Sequence, residues 1–170
     1  MTIKKDELNN RFIEVLEKHK GIIFKISRAY AYTFHNREDL INDIILQLWK
    51  SFETFKGQSK ISTWIYRVSL NTSMSYHLKN QKDILTFTEA IVEIDLKDII
   101  STNYTELEEY TILYQCIDEL EEFNKAIVLL YLDGNSHEEI SLITGISITN
   151  VGTRIGRIKE QLKKSAFRKI

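Results

Sequence analysis

Residues 136–164 constrain the fold more than any other stretch, because two helix starts, one helix stop and a long amphipathic period occur together in them. Ser136 followed by Glu139 has the pattern of a capping box, and Gly145 is placed to end that helix in the left-handed conformation. Ser147 can then cap a second helix. A short capped helix, a tight turn and a longer helix together predict a helix-turn-helix, whose second helix lies in the major groove of DNA.

The second of these helices has two dissimilar faces. Its buried face is predicted by an apolar stripe at helical spacing, formed by Val151, Ile155, Ile158 and Leu162. The opposite face carries Thr149, Thr153, Gly156 and Arg157, with Asn150 and Arg154 on one flank. We predict that Arg157 contacts a guanine or a phosphate, and that Asn150 contacts a base edge or a phosphate.

Two glycines interrupt this helix, and each costs about 1 kcal/mol relative to alanine. Gly152 and Gly156 could allow close approach of the backbone to DNA, or packing could simply tolerate them. The sequence leaves both interpretations open.

Composition bounds the class of protein. The 170 residues contain no proline and 43% hydrophobic residues, which predicts a folded, helix-rich chain of one or two small domains. Cys116, the single cysteine, is expected in the core. The N-terminus lacks the apolar stretch of a signal peptide and no run approaches a membrane span, so we expect a cytoplasmic protein. No catalytic or metal-binding constellation is recognisable, so we predict no enzyme activity, cofactor, metal or small-molecule substrate.

The net charge of −1 hides a strong segregation of charge along the chain. Residues 56–82 hold five basic residues and no acid, residues 83–122 hold twelve acids and only Lys97, and residues 145–170 hold seven basic residues and only Glu160. This order predicts two nucleic-acid-binding surfaces separated by a segment that DNA repels. Clustering on solvated helix faces is the alternative, and it explains one cluster better than three in this order.

The N-terminal half has helical spacing of apolar residues. Residues 7–34 predict two helices that are broken near Gly21. Asn36 can cap the next helix, from about Arg37 to Phe52. Its apolar face consists of Leu40, Ile41, Ile44, Ile45, Leu48, Trp49 and Phe52.

Another helix is predicted from Thr63 to about Lys79, after a loop at 53–62. Trp64, Val68 and Tyr76 are expected to face inward, and His77 is expected to be exposed.

The segment 83–108 breaks the helical period and is rich in acids and β-branched residues. It could hold a short strand, but we interpret it as a connector. Helices at 110–120 and 125–132 then lead into the helix-turn-helix. The predicted fold is all-α, with two small helical domains at 8–82 and 109–167 joined by the acidic linker 83–108.

Three segments, in this order and spacing, resemble the extracytoplasmic-function sigma factors, the bacterial sigma-70 group that retains only conserved regions 2 and 4. They are REDLINDIILQLWKSFETF (37–55), STWIYRVSLN (62–71) and the C-terminal helix-turn-helix. The resemblance implies that 8–82 is region 2, which binds core RNA polymerase and recognises and melts the −10 promoter element. It implies that 109–167 is region 4, which recognises the −35 element.

The resemblance also implies a docking face for the clamp helices of the polymerase, with the polymerase flap as a second contact. Asp39, Asn42 and Asp43 match the family's polymerase-contacting positions. Leu46 shares a helix face with the two aspartates, and Gln47 flanks it. A leucine exposed among polar residues is typical of a partner-binding surface.

For the −10 element, the resemblance implies contacts from the loop and from the helix after it. Flipped bases would be captured by Gln58, Ser59 and Lys60, and the helix would contact DNA through Arg67, Asn71 and Lys79. Trp64 also matches, but we favour a core role over base stacking. The chain departs from the family after Asn71, where the family usually carries an acid and several arginines.

For the −35 element, the implied contacts are Thr149, Asn150, Thr153, Arg154 and Arg157. The family's usual Leu-Pro before region 4 is replaced by residues 121–124. The expected partners are therefore core RNA polymerase and promoter DNA, with an anti-sigma factor as a candidate third, since family members are commonly held inactive by one. The alternative is a helix-turn-helix regulator that acts without polymerase, which would leave 62–71 and the basic loop unexplained.

Overall fold

The computed structural model of the chain describes residues 2–31, 34–84 and 112–169. All regular structure in these ranges is helical: α1 (Thr2–Tyr30), α2 (Phe34–Phe52), α3 (Ile61–Ile84), α4 (residues 112–118), α5 (Glu122–Leu132), α6 (His137–Thr144) and α7 (Ile148–Lys169). The chain divides into two compact units, Met1–Ile91 and Val92–Ile170. The prediction of an all-α fold with two small helical domains is confirmed. The predicted connector, apart from its first two residues, lies outside the described residues.

In the first unit, α1, α2 and α3 pack against one another. The core is formed by Phe12, Ile23, Ile26 and Tyr30 of α1, by Leu40, Ile44, Leu48 and Phe52 of α2, and by Ile65 and Leu70 of α3. The Phe12 ring stands edge-on to Trp49 and Phe52, with ring centres 5.0 and 5.1 Å apart. The predicted apolar face of α2 is therefore the face that fills this core.

Two predicted helix boundaries in this unit are wrong. α1 runs without a break through Gly21, which is exposed and has open space where a Cβ would lie. A glycine there costs about 1 kcal/mol, and burial of Ile23 and Ile26 on the following turns outweighs it. α2 begins at Phe34, so Asn36 lies inside the first turn and is not the cap.

The inward face of α3 also differs from the prediction. His77 is buried, with 7% of its surface exposed, and it follows the buried Ser69 and Ser73 at intervals of four residues. Trp64, Val68 and Tyr76 are half-buried. Because serine and histidine carry no apolar signal, the hydrophobic pattern did not mark the side of α3 that Ser69, Ser73 and His77 bury, and the prediction of an exposed His77 is wrong.

In the second unit, α5, α6 and α7 pack together around an apolar core. The core contains Ile117, Leu120, Ile127, Leu130, Ile140, Ile143, Val151, Ile155 and Ile158. Cys116 is buried beside them, as predicted. Lys125 is also fully buried, and its Nζ donates a hydrogen bond to Asp118 Oδ1 of α4 at 3.0 Å.

The helix-turn-helix forms through the local signals that the sequence predicts. Ser136 Oγ accepts the Glu139 N–H at 3.2 Å, and the Glu139 carboxylate accepts the Ser136 N–H at 3.0 Å. Gly145 has φ 80° and ends α6. Ser147 Oγ accepts the Asn150 N–H at 3.3 Å. The caps at both ends of the turn therefore fix where α6 stops and α7 starts.

Candidate docking and nucleic-acid interfaces

The outer face of α2 carries the five residues predicted to bind polymerase. Each of them is exposed: Asp39, Asn42, Asp43, Leu46 and Gln47. Leu46 is 46% exposed, whereas the opposite face of the helix is fully buried. The Asp39 carboxylate lies 3.7 Å from His35 Nε2 on the preceding turn. The structure thus brings these residues together as one apolar centre with a polar rim.

The loop before α3 presents the second predicted set. Gly57 takes φ 68° there, a conformation that favours glycine, and the exposed residues that follow it are Gln58, Ser59 and Lys60. Along α3 the exposed Arg67, Asn71 and Lys79 share one face with Leu78. Leu78 is 61% exposed, and the sequence did not predict it as a contact.

Trp64 lies behind this loop. Its ring centre is 5.0 Å from that of Phe55 and 6.1 Å from that of Phe52. The indole therefore packs between Phe52, in the aromatic core, and Phe55, near the start of the loop. This packing supports the core role favoured from the sequence.

The outer face of α7 is exposed at four of its five predicted DNA contacts, Thr149, Asn150, Thr153 and Arg157. Gly156 lies among them with open space around it, whereas a Cβ on Gly152 would lie 3.7 Å from the His137 imidazole. Gly156 therefore has room for a close approach of the backbone to DNA. Gly152 instead faces His137 at the start of α6, so packing inside the unit is the interpretation that fits it.

An open groove of about 540 Å³ runs along this face, lined by Thr153, Gly156, Arg157, Glu160, Gln161, Lys164 and Arg168. Sequence reasoning missed Lys164 and Arg168. They follow Arg157 by seven and eleven residues, a helical spacing that could have identified them.

Arg154, the fifth predicted contact, points to α5 instead. Its Nη1 donates to Asn124 Oδ1 at 3.0 Å, and its guanidinium carbon lies 5.1 Å from the centre of the Phe123 ring. Its Nε is shielded from solvent and makes no hydrogen bond within the described residues. Asn124 and Phe123 lie in the first turn of α5.

Two other cations of α7 have partners inside the second unit. Lys159 Nζ donates to the Tyr131 hydroxyl at 2.9 Å and lies 4.4 Å from the centre of that ring. Lys169 Nζ lies 2.7 Å from Glu119 Oε1, and Ser165 Oγ donates to the same carboxylate. In the described ranges, Arg157, Lys163, Lys164 and Arg168 have no such ion pair, so their charge faces outward.

The Glu119 anchor of α7 should make stability depend on pH. Hydrogen bonds from Lys169 and Ser165 hold the pKa of the Glu119 carboxyl below its ordinary value, and the bond to Glu119 raises the pKa of Lys169. The Glu119 contribution is therefore present above the unfolded-state pKa, about 4.3, and is lost as the pH falls through the lower folded-state value. Lysine stays charged throughout that range, so it adds no acid dependence.

We expect the melting temperatures of wild type and Glu119→Gln to differ most near pH 7 and to converge toward pH 3. Thermal unfolding followed by circular dichroism at intervals of pH measures this. A difference that stays constant over the whole range would show that the charge of Glu119 does not hold α7.

Within the described residues, no helix is long and apolar enough to cross a membrane. The same ranges contain no group of three or more His, Cys, Asp or Glu side chains placed to hold a metal ion.

Comparison with known proteins adds two family matches. The family model for sigma-70 region 2 matches residues 15–83, and the model for sigma-70 region 4 matches residues 110–162. The chain is 28% identical over 134 residues to the ECF RNA polymerase sigma-E factor of Escherichia coli strain K12, covering 73% of this chain and 70% of that protein. It is 24% identical over 155 residues to the RNA polymerase sigma factor SigV of Bacillus subtilis strain 168, covering 91% and 90%.

Among solved structures, the chain is similar to the sigma factor RpoE crystallised with the anti-sigma factor NepR from Bartonella quintana. The TM-score is 0.68 at 17% identity, over 94% of this chain and 96% of that one. At that identity the likeness is one of fold.

Proposed function

The chain belongs to the sigma-70 family, as a sigma factor of the extracytoplasmic-function type with regions 2 and 4, and we propose that it binds core RNA polymerase and directs it to promoters with −10 and −35 elements. Region 2 spans residues 8–82 in this proposal, region 4 spans 109–167, and 83–108 links them. Acting with polymerase places the protein in the cytoplasm.

The exposed face of α2 carries this proposal. Leu46 lies on the side of α2 opposite the core, at the centre of a polar rim formed by Asp39, Asn42, Asp43 and Gln47. Such an arrangement gives a partner helix an apolar contact with polar groups that set its register. A regulator that acts on DNA without polymerase would have to use this surface for a different contact, such as dimerisation.

Region 2 would contact the −10 element through the loop and the adjoining face of α3. Gln58, Ser59 and Lys60 offer donors and acceptors to unpaired bases, and backbone donors near Gly57 are exposed with them. Arg67, Asn71 and Lys79 then follow the DNA along α3. This face supports melting because it offers partners to single-stranded DNA.

Region 4 would contact the −35 element through the outer face of α7. Arg157 is exposed, and a guanidinium can make a bidentate contact with guanine, while Thr149, Asn150 and Thr153 lie nearer the start of the helix, where base edges are reached. Lys164 and Arg168 lie about 10 and 16 Å further along the helix at its rise of 1.5 Å per residue. At that distance they would contact phosphates beyond the element. An anti-sigma factor is proposed as a further partner.

The two kinds of basic residue on α7 should behave differently. Replacing Arg157 with alanine should weaken promoter binding by about tenfold or more and relax the preference for a base in the −35 element, since a bidentate contact contributes about 1–3 kcal/mol. Replacing Lys164 with alanine should weaken binding equally on all promoters. It should also lower the slope of log K against log salt concentration by about 1.

The measurement is promoter binding over a series of salt concentrations by holoenzyme made from the full chain and matched core polymerase. The promoter comes from mapping the 5′ ends of transcripts that this holoenzyme makes from genomic DNA. Lys163→Ala is the matched control, because it removes the same charge next to Lys164 but outside the groove. Equal effects of the two lysine variants would contradict a DNA-facing groove, and an unaffected Arg157→Ala would contradict recognition by α7.

A further inference from the structure

Arg154 lies in the recognition helix but is half-buried and turned toward α5. A guanidinium binds a guanine or phosphate bidentately either through its two terminal nitrogens or through Nε and one terminal nitrogen. Nη1 is engaged with Asn124, and Nε is shielded from solvent. The edge that includes Nε is therefore closed to DNA, one N–H of Nη1 is occupied, and the guanidinium carbon lies over the Phe123 ring at 5.1 Å from its centre.

The partners of Arg154 connect elements that are distant in sequence. Asn124 and Phe123 lie in the first turn of α5, and Asn124 precedes Arg154 by thirty residues. Glu121, the residue that caps α5, makes no side-chain capping hydrogen bond. On α7, Arg154 lies one turn after Asn150 and one turn before Arg157. A link at this point fixes the rotation of α7 about its own axis, and this rotation decides which side chains face the groove of DNA.

We propose that Arg154 is a positioning residue: its bond to Asn124 and its stacking on Phe123 hold the recognition helix in the rotation that presents Asn150 and Arg157 to the −35 element. This inference rests on the proposed function. It gives Arg154 a role different from the direct DNA contact that its sequence position predicts. It also gives Phe123 and Asn124, at the start of α5, a specific role.

The test compares Arg154→Ala, Asn124→Ala and the double variant in reconstituted holoenzyme. Promoter binding over a series of salt concentrations is the readout, at a temperature where each variant is folded by circular dichroism. Each single substitution should weaken −35-dependent binding about tenfold, the effect of losing one hydrogen bond to a charged group. The salt slope should stay at the wild-type value, because no phosphate contact is lost. The double variant should bind the promoter as tightly as the single variant with the lower affinity, because the two substitutions remove the same interaction.

Asn124→Asp retains an acceptor for Nη1 and should restore binding to the wild-type level. The proposal is overturned if Arg154→Ala lowers the salt slope by about 1 while Asn124→Ala binds normally, since Arg154 would then contact phosphate directly. It is also overturned if both variants melt earlier but bind the promoter as wild type does, since the link would then serve stability alone. Arg157→Ala is the reference for the proposed function. If Arg157→Ala binds the promoter as wild type does while Arg154→Ala and Asn124→Ala do not, direct recognition by α7 is contradicted. The coupling between Arg154 and Asn124 is measured in either case.

Discussion

Core polymerase supplied with the Asp43→Arg/Leu46→Glu double variant should produce about 100-fold less promoter-dependent transcript than core polymerase supplied with wild type. Interface positions of this kind contribute about 2 kcal/mol or more, and one such position already changes affinity about 30-fold. Both side chains are exposed on α2, so their replacement leaves the core of Phe12, Leu48 and Phe52 in place. The variant should therefore melt like wild type while it fails to co-purify with core polymerase. Run-off transcription and co-purification measure the two losses together.

The matched control lies on α1 of the same unit. Glu14→Arg/Ile13→Glu makes closely similar chemical changes at exposed positions, and Ile13 is as open as Leu46, at 56% against 46%. We expect this control to transcribe at the wild-type level. If both double variants lose activity, the effect comes from altered surface charge and not from a docking face.

A different outcome would separate the sigma factor from the regulator that acts without polymerase. Wild-type protein that binds specific duplex DNA tightly by itself, and that shows no association with matched core polymerase, would contradict the docking role of α2. The full chain is near neutral, with an acidic stretch between its basic segments, so it offers limited neutralisation of phosphates. We therefore expect tight promoter binding only in the holoenzyme.

The sequence predicted those features that depend on neighbours within a few residues. The capping box of Ser136 and Glu139, the left-handed Gly145 and the Ser147 cap each involve atoms from one turn of chain, so their residue types alone determine the local geometry. The same holds for the exposed faces of α2 and α7. A regular helical period fixes which residues face solvent once the apolar stripe is known.

The features it missed depend on partners far along the chain. His77 is buried on the same face of α3 as the small residues Ser69 and Ser73, and no apolar period marks that face. Arg154 and Asn124 are thirty residues apart, so nothing in the sequence around Arg154 distinguishes a DNA contact from an internal tie. Lys125 begins the apolar run KAIVLLYL, where a lysine predicts a solvated helix end, yet it is fully buried.

Lys125 leads to the largest expected effect on stability in the second unit. Its ammonium lies in the core with no exposed surface, and Asp118 Oδ1 accepts its hydrogen bond at 3.0 Å from α4. Removal of the carboxylate by Asp118→Ala takes away a negative charge that lies against a buried positive one. Breaking a fully buried pair costs about 3–5 kcal/mol, but Asp118 is 42% exposed, so water screens part of the loss. We expect the free energy of unfolding to fall by about 2 kcal/mol, which corresponds to roughly 10 °C in a unit of this size.

Lys125→Met tests whether charge or packing makes the lysine necessary. Methionine keeps an unbranched apolar chain of similar length and needs no counter-charge, so the stability of Lys125→Met should stay within about 1 kcal/mol of wild type or rise above it. The decisive comparison is the double variant Asp118→Ala/Lys125→Met, which should recover most of the stability lost in Asp118→Ala, because no buried charge remains to be balanced. Chemical denaturation of all four proteins completes the cycle. If the changes in the free energy of unfolding simply add, Asp118 and Lys125 act independently. The association of α4 with α5 would then depend on packing alone.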